Sequence, residues 1–190
     1  MRQPGATPDD VAQVEQWLKD AVFADSKSGA ALVQFGEFGL FHERYQQSLD
    51  LYEQLLQRPP DNVIVLNNLA WLLSVWKGDN ARAEKLIDRA IGRAGPVAAL
   101  LDTRGTIHLR SGNYDAAIAD FRDAVATDDS SLNRFHLALA CWKDKKPEAT
   151  RLNFRAAIDA GFRFEDLLPI EQQAFGADVT EMQAAMEAQP

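Results

Sequence analysis

Cysteine is all but absent. Cys141 is the single one in 190 residues, so no disulfide can form within the chain, which favours a reducing compartment. Long apolar runs are missing too, and none approaches the roughly 20 residues needed to cross a bilayer. The opening MRQPGATPDD lacks the apolar stretch of a secretory leader. These absences predict a cytoplasmic protein without membrane insertion, or a periplasmic one if a leader has been removed. Basic clusters for anionic lipid are lacking as well. Positive charge is in overall deficit, with a net charge of −8 and an isoelectric point near 4.9. Such a surface repels phosphate backbones, which argues against nucleic acid as a main partner and suits a basic or neutral peptide.

Signatures of chemistry are equally scarce. His42, His108 and His136 lie far apart, no HExxH occurs, and His42-Glu43 is adjacent rather than helically spaced. No CxxC, glycine-rich phosphate loop, GxSxG or calcium-loop spacing is present. Cys141 follows His136 by five residues, which puts the two on different sides of a helix and disfavours a nucleophile pair. Asp128-Asp129 and Glu165-Asp166 read as helix caps rather than an acid pair. The chain is expected to be non-enzymatic, with no catalytic residue, no cofactor and no metal.

What is present is helix-forming sequence in a repeating pattern. The chain is 46% hydrophobic and 25% charged, typical of a folded protein. Alanine, leucine and glutamine are frequent, and β-branched runs are few. The trio Ala83, Ile87 and Ala90 recurs as Ala117, Phe121 and Ala124, and once more as Thr150, Phe154 and Ala157. The spacing within each trio is the same, and the step from one to the next is nearly constant. A helical pattern with a period of about 34 residues predicts an all-α solenoid of stacked antiparallel helix pairs.

The boundaries follow from punctuation. Residues 1–8 read as a flexible tail, and residues 9–28 as an N-terminal helix that Thr7 or Asp9 can cap. Ser26-Lys27-Ser28-Gly29 ends that helix. The first repeat spans 29–62 and stops at Pro59-Pro60-Asp61-Asn62, where proline blocks continuation and Asp-Asn can cap the next helix. The second spans 63–97. It is one residue longer than the others, and the extra residue is expected in the turn Trp76-Lys77-Gly78-Asp79-Asn80. The third spans 98–130 and turns at Ser111-Gly112-Asn113. The fourth spans 131–162. From Phe162 the period is lost, and residues 163–190 are expected to cap the end of the array.

At this level the chain resembles tetratricopeptide repeat proteins, bacterial members in particular. The family places Ala, an aromatic and Ala on the second helix of each pair, and LLDTRGTIHLRSGNYDAAIADFRDAVATDD matches that pattern best. VLNNLAWLL with ARAEKLIDRAI matches almost as well, and FHLALACWKDKKPEATRLNFRAAI departs only at Thr150. The first repeat is weakest, with Ser48 and Leu55 where Ala is usual. The resemblance implies a right-handed superhelical array of about four repeats. Arg104 stands where the family has a large apolar residue, and is expected to lie along the core edge and pair with Asp102 or Asp120. His108 falls on an inward face, where a packed histidine is expected.

The resemblance also implies a binding groove, formed by first-helix residues that do not pack within a repeat. Carried over position by position, this groove takes Val33, Gln34, Glu37 and Phe41 from the first repeat, and Asn67, Asn68, Trp71 and Ser74 from the second. The third contributes Asp102, Thr103, Thr106 and Arg110, and the fourth Phe135, His136, Leu139 and Trp142. The family's clamp for a terminal carboxylate is not reproduced. Its positions hold Val33, Glu37, Ala99 and Thr103, and only Asn68 fits. Asn67 and Asn68 can bond an extended backbone, or serve in capping or repeat-to-repeat hydrogen bonds, and Trp71 and Trp142 can anchor a partner or wedge between repeats. The expected function is a scaffold that binds a peptide or partner helix in this groove. Alternatives are an acidic secretion chaperone holding an export client, or the repeat region of a larger enzyme or lipoprotein.

Overall fold

The computed structural model describes residues 7–25, 28–57 and 61–187. The tail residues 1–6, the Ser26-Lys27 pair and the Pro59-Pro60 stop lie outside the described residues. No strand occurs among the described residues. The helices are α1 (Pro8–Ala24), α2 (Gly29–Phe41), α3 (Tyr45–Leu56), α4 (Val63–Leu72), α5 (Asn80–Ala94) and α6 (Ala98–Arg110). They continue with α7 (Tyr114–Thr127), α8 (Ser131–Lys143), α9 (Pro147–Asp159) and α10 (Pro169–Glu187). Through α9 each packs on its neighbour in the chain, and α2, α4, α6 and α8 also touch in succession. This is the contact pattern of a solenoid, in which each unit leans on the next.

Local chemistry explains where the helices begin. Thr7 accepts from the Asp10 N–H while Asp10 accepts from the Thr7 N–H, a capping box for α1. Asn62 caps α4 by accepting from the Ile64 and Val65 N–H groups. Its neighbour Asp61 pairs instead with Arg89 and Arg93 of α5. Ser130, not Asp128 or Asp129, caps α8. Asp128 accepts from Asn133 through its carbonyl, and Asp129 grips Arg134.

The small–large–small pattern works through close approach. Ala117, Phe121 and Ala124 are fully buried, as are Ala83, Ile87 and Ala90. A Cβ placed at Gly105 would lie 2.7 Å from a Phe121 ring carbon, so α6 and α7 come together only because Gly105 has no side chain. Arg104 forms a two-pronged bond to Asp120 at 2.6 and 2.9 Å, one of the two partners expected for it. His108 lies half-buried, its Nε2 3.6 Å from the same carboxylate.

The extra residue of the second repeat is absorbed where α4 widens into a π-helical turn, Leu73–Lys77, which begins ahead of the expected turn, takes in its Trp76 and Lys77, and is ended by Gly78 at φ 73°. A π turn accommodates one additional residue without breaking the helix. It keeps Leu73, Ser74 and Val75 buried, whereas a longer exposed turn would have withdrawn an apolar residue from the core.

Residues 163–187 do more than cover the last repeat. A 3-10 turn, Phe164–Asp166, leads into α10. This helix packs on α8 and α9 and reaches back to the π turn of the second repeat.

Candidate functional site

Three successive first helices converge on one cleft. Asn67, Asn68 and Trp71 come from α4, Asp102 and Thr103 from α6, and Leu132 and His136 from α8. Leu40 and Tyr52, and Asp166, Leu168 and Glu171 from beyond the last repeat, also line it. The cleft measures about 240 Å³.

A hydrogen-bond chain sets its polar floor. The Asn67 Nδ2 donates to Asn68 Oδ1 at 3.2 Å, and Asn68 Nδ2 donates to the Tyr52 hydroxyl at 3.0 Å. The chain fits because Gly36 of α2 has no side chain. A Cβ there would lie 2.5 Å from the Tyr52 hydroxyl and 3.1 Å from Asn68 Nδ2. Burial pushes the Tyr52 phenol up to about 12, against a smaller downward pull from the Asn68 bond. Asn67 Oδ1 is buried and has no hydrogen-bond partner among the described residues.

The sequence model of the family described as Tetratricopeptide repeat matches residues 40–99, 75–131 and 103–161, together more than half of the chain. The chain belongs to the tetratricopeptide repeat family. The human mitochondrial import receptor subunit TOM70 is 31% identical over 111 residues, 58% of this chain and 17% of that receptor. The chain thus spans under a fifth of that relative. Among solved structures, PilW, described as a widely conserved type IV pilus biogenesis factor, superposes with a TM-score of 0.69. It is 17% identical, with 95% of this chain and 83% of that one covered. YrrB, described as a tetratricopeptide repeat protein with an unusual peptide-binding site, gives a TM-score of 0.57 at 18% identity. That match covers 80% of this chain and 79% of YrrB. Repeats of this family build protein-interaction scaffolds. No helix among the described residues is long and apolar enough to cross a membrane.

Within the tetratricopeptide array, the groove residues named from the sequence separate into three groups. Asn67, Asn68, Trp71, Asp102 and His136 share the cleft, together with Thr103. Val33, Glu37, Gln34 and Phe41 are exposed on α2 and lie outside its walls. The rest have other work. Phe135 and Leu139 are fully buried and belong to the core, which corrects their placement as groove lining. Phe135 stacks on Phe162 with ring centroids 4.3 Å apart. The reason is α10, whose Phe175, Val179 and Met182 join Phe135 and Leu139 in one apolar cluster and cover the face of α8 that an open array would expose. Thr106 and Ser74 are buried too. Arg110 donates from Nε to the Ser74 carbonyl at 3.0 Å, which ties α6 to the π turn. Trp142 sits apart, against Met182 and Met186 of α10.

Charge is concentrated at one point of the cleft. His136 Nδ1 is 2.6 Å from Asp102 Oδ1, and the imidazole is almost wholly buried. Burial opposes its charge, but the nearby Asp102 carboxylate, the bond to it and Glu171 together lift the His136 pKa above its ordinary value. Glu171 is also buried. Burial raises its carboxyl above the usual range, against the pull of His136 and of the Leu168 N–H, which donates to it at 3.0 Å. Sequence reasoning missed Glu171, Leu168, Tyr52 and Leu132 as members of this site. The first two lie beyond the last repeat, where no register assigns a position to a face. Tyr52 is on a second helix, where the family pattern predicts packing alone.

Proposed function

We propose that this protein is a non-enzymatic scaffold that binds a protein segment in the cleft bounded by Asn67, Asn68, Trp71, Asp102 and His136. The observation that carries the reading is Asn67 Oδ1, a buried acceptor with no hydrogen-bond partner among the described residues, on the same helix as Trp71. Backbone N–H groups of an incoming segment are the donors it lacks. Trp71 supplies the half-buried apolar surface that dominates interface energies. The groove does not reproduce a terminal-carboxylate clamp, so recognition is of an internal segment. That YrrB is described as having a peptide-binding site, and TOM70 as an import receptor, supports a segment of polypeptide as the ligand.

The test is affinity capture with the full chain and with an Asn68→Ala, Trp71→Ala double variant, followed by titration of each purified partner. Loss of about tenfold or more in affinity, with the circular dichroism spectrum unchanged, is the expected result. Equal affinity for a folded double variant overturns the reading.

A further inference from the structure

Part of the cleft lining belongs to no repeat. Asp166, Leu168 and Glu171 come from the segment between α9 and the body of α10, yet they face residues of the second, third and fourth repeats. The same segment reaches the first repeat, where Tyr45 of α3 lies near the Ile170 backbone and the Glu171 carboxylate. Tyr45 is held there by Trp76 of the π turn, ring centroids 5.8 Å apart. A helix that only sealed the end of the array would touch α8 and α9. This one also reaches the π turn of the second repeat, and its leading turn puts the buried Glu171 in the same cleft lining as Asp102 and His136.

The segment is fixed unevenly. Leu167, Phe175, Val179 and Met182 are buried in the core, and Asp178 pairs with Lys143 at 2.7 Å. Leu168 and Ile170 are only partly buried, and Leu168 borders the unfilled cleft volume. Release of the leading turn therefore leaves the main apolar contacts of α10 in place.

We propose that residues 168–172 are a built-in occupant of the cleft, displaced by a partner segment of the same chemistry. That chemistry is a leucine-sized side chain followed three residues later by one carboxylate. The proposal rests on the cleft being the binding site. One carboxylate is specified because His136 is the basic side chain among the lining residues, whereas Asp102 and Asp166 already contribute negative charge. Binding is then a competition, and apparent affinity scales with the fraction of molecules whose cleft is open.

The test uses the full chain and a fluorescent synthetic peptide of its own residues 163–187. Anisotropy titrations compare wild type, Glu171→Gln and Tyr45→Phe. The last two loosen the occupant from opposite ends without emptying the core. Hydrogen exchange at residues 168–172 reports release directly. The expected result is faster exchange in both variants and peptide affinity about tenfold higher than wild type. That gain should be lost when Asn68→Ala and Trp71→Ala are added. Faster exchange without any gain in affinity overturns the proposal. So does a wild-type dimer with α10 exchanged between copies, because the cleft would then belong to a second chain. If partners still depend on Asn68 and Trp71 while the peptide never binds, the built-in occupant falls and the groove reading stands.

Discussion

His136 Nδ1 and Asp102 Oδ1 lie 2.6 Å apart, though their residues belong to different repeats. One repeat length thus becomes one ion pair between neighbouring first helices. The bond links α6 to α8 inside the cleft, where the imidazole is almost wholly shielded from water.

Removing the acid should therefore cost more than an exposed pair would. Asp102→Asn is expected to destabilise the fold by about 1–3 kcal/mol, because a buried imidazole loses its charged acceptor. Urea denaturation at pH 6 measures it. A shift in midpoint no larger than that of a surface Asp→Asn change would show that the pair carries no such role.

Glu171 gives the cleft a pH dependence of defined sign. Its folded-state pKa is raised, so the folded state holds the proton more tightly than the unfolded one. Its contribution is full below the ordinary carboxylate value of about 4.3 and is lost as pH climbs through the raised folded value. His136, Asp102, Asp166 and Tyr45 face it and shape the window. Relative to Glu171→Gln, the wild type should lose stability steadily as pH rises above about 4. Parallel curves for the two proteins would contradict this.

Tyr52 should act at alkaline pH. With its phenol pushed up to about 12, the neutral ring is the form the fold prefers. Stability should fall as pH rises above about 10, the value of a free phenol. Tyr52→Phe should flatten that loss, at some cost near neutrality because Asn68 loses its acceptor. Thermal unfolding at neutral and at strongly alkaline pH distinguishes the two effects.

The α6–α7 crossing predicts a coupled pair. Gly105→Ala should destabilise by about 1–3 kcal/mol, since the new methyl meets the Phe121 ring. Adding Phe121→Leu should make the second change cost less than it does alone, and a double-mutant cycle reads the coupling. Strict additivity would mean that the ring moves aside freely.

Arg104 and Asp120 provide a further cycle. Asp120 is buried and held by the guanidinium fork. Arg104→Met restores the family's apolar residue but strands a carboxylate. It should be less stable than the double change Arg104→Met, Asp120→Ala, by about 1–3 kcal/mol. A single variant as stable as the double one would rule out the stranded charge as the cause.

The helix pairs were legible because their cause is local and recurrent. Ala117, Phe121 and Ala124 carry their spacing within one helix, and Gly105 announces the close approach they require. Asn67, Asn68, Trp71, Asp102 and His136 were legible as a shared face for the same reason, since repeat register maps chain position onto helix face. Phe135 and Leu139 share that register yet are buried, because burial also depends on what covers a face. The extra residue of the second repeat was visible as a length. Its place in a π turn was not, because turn and helix can absorb it with the same sequence and only the packing of Ser74 and Val75 distinguishes them.

The amino-acid order by itself determined the all-α repeat, its regular period and the face on which a cleft could form. These depend on contacts a few residues or one repeat apart. The tertiary structure alone decided that Glu171 and Leu168 enter that cleft. They share its lining with residues of α3, α4 and α6, across separations for which periodicity provides no register. Only the closing of the array brings a carboxylate from beyond the last repeat to His136.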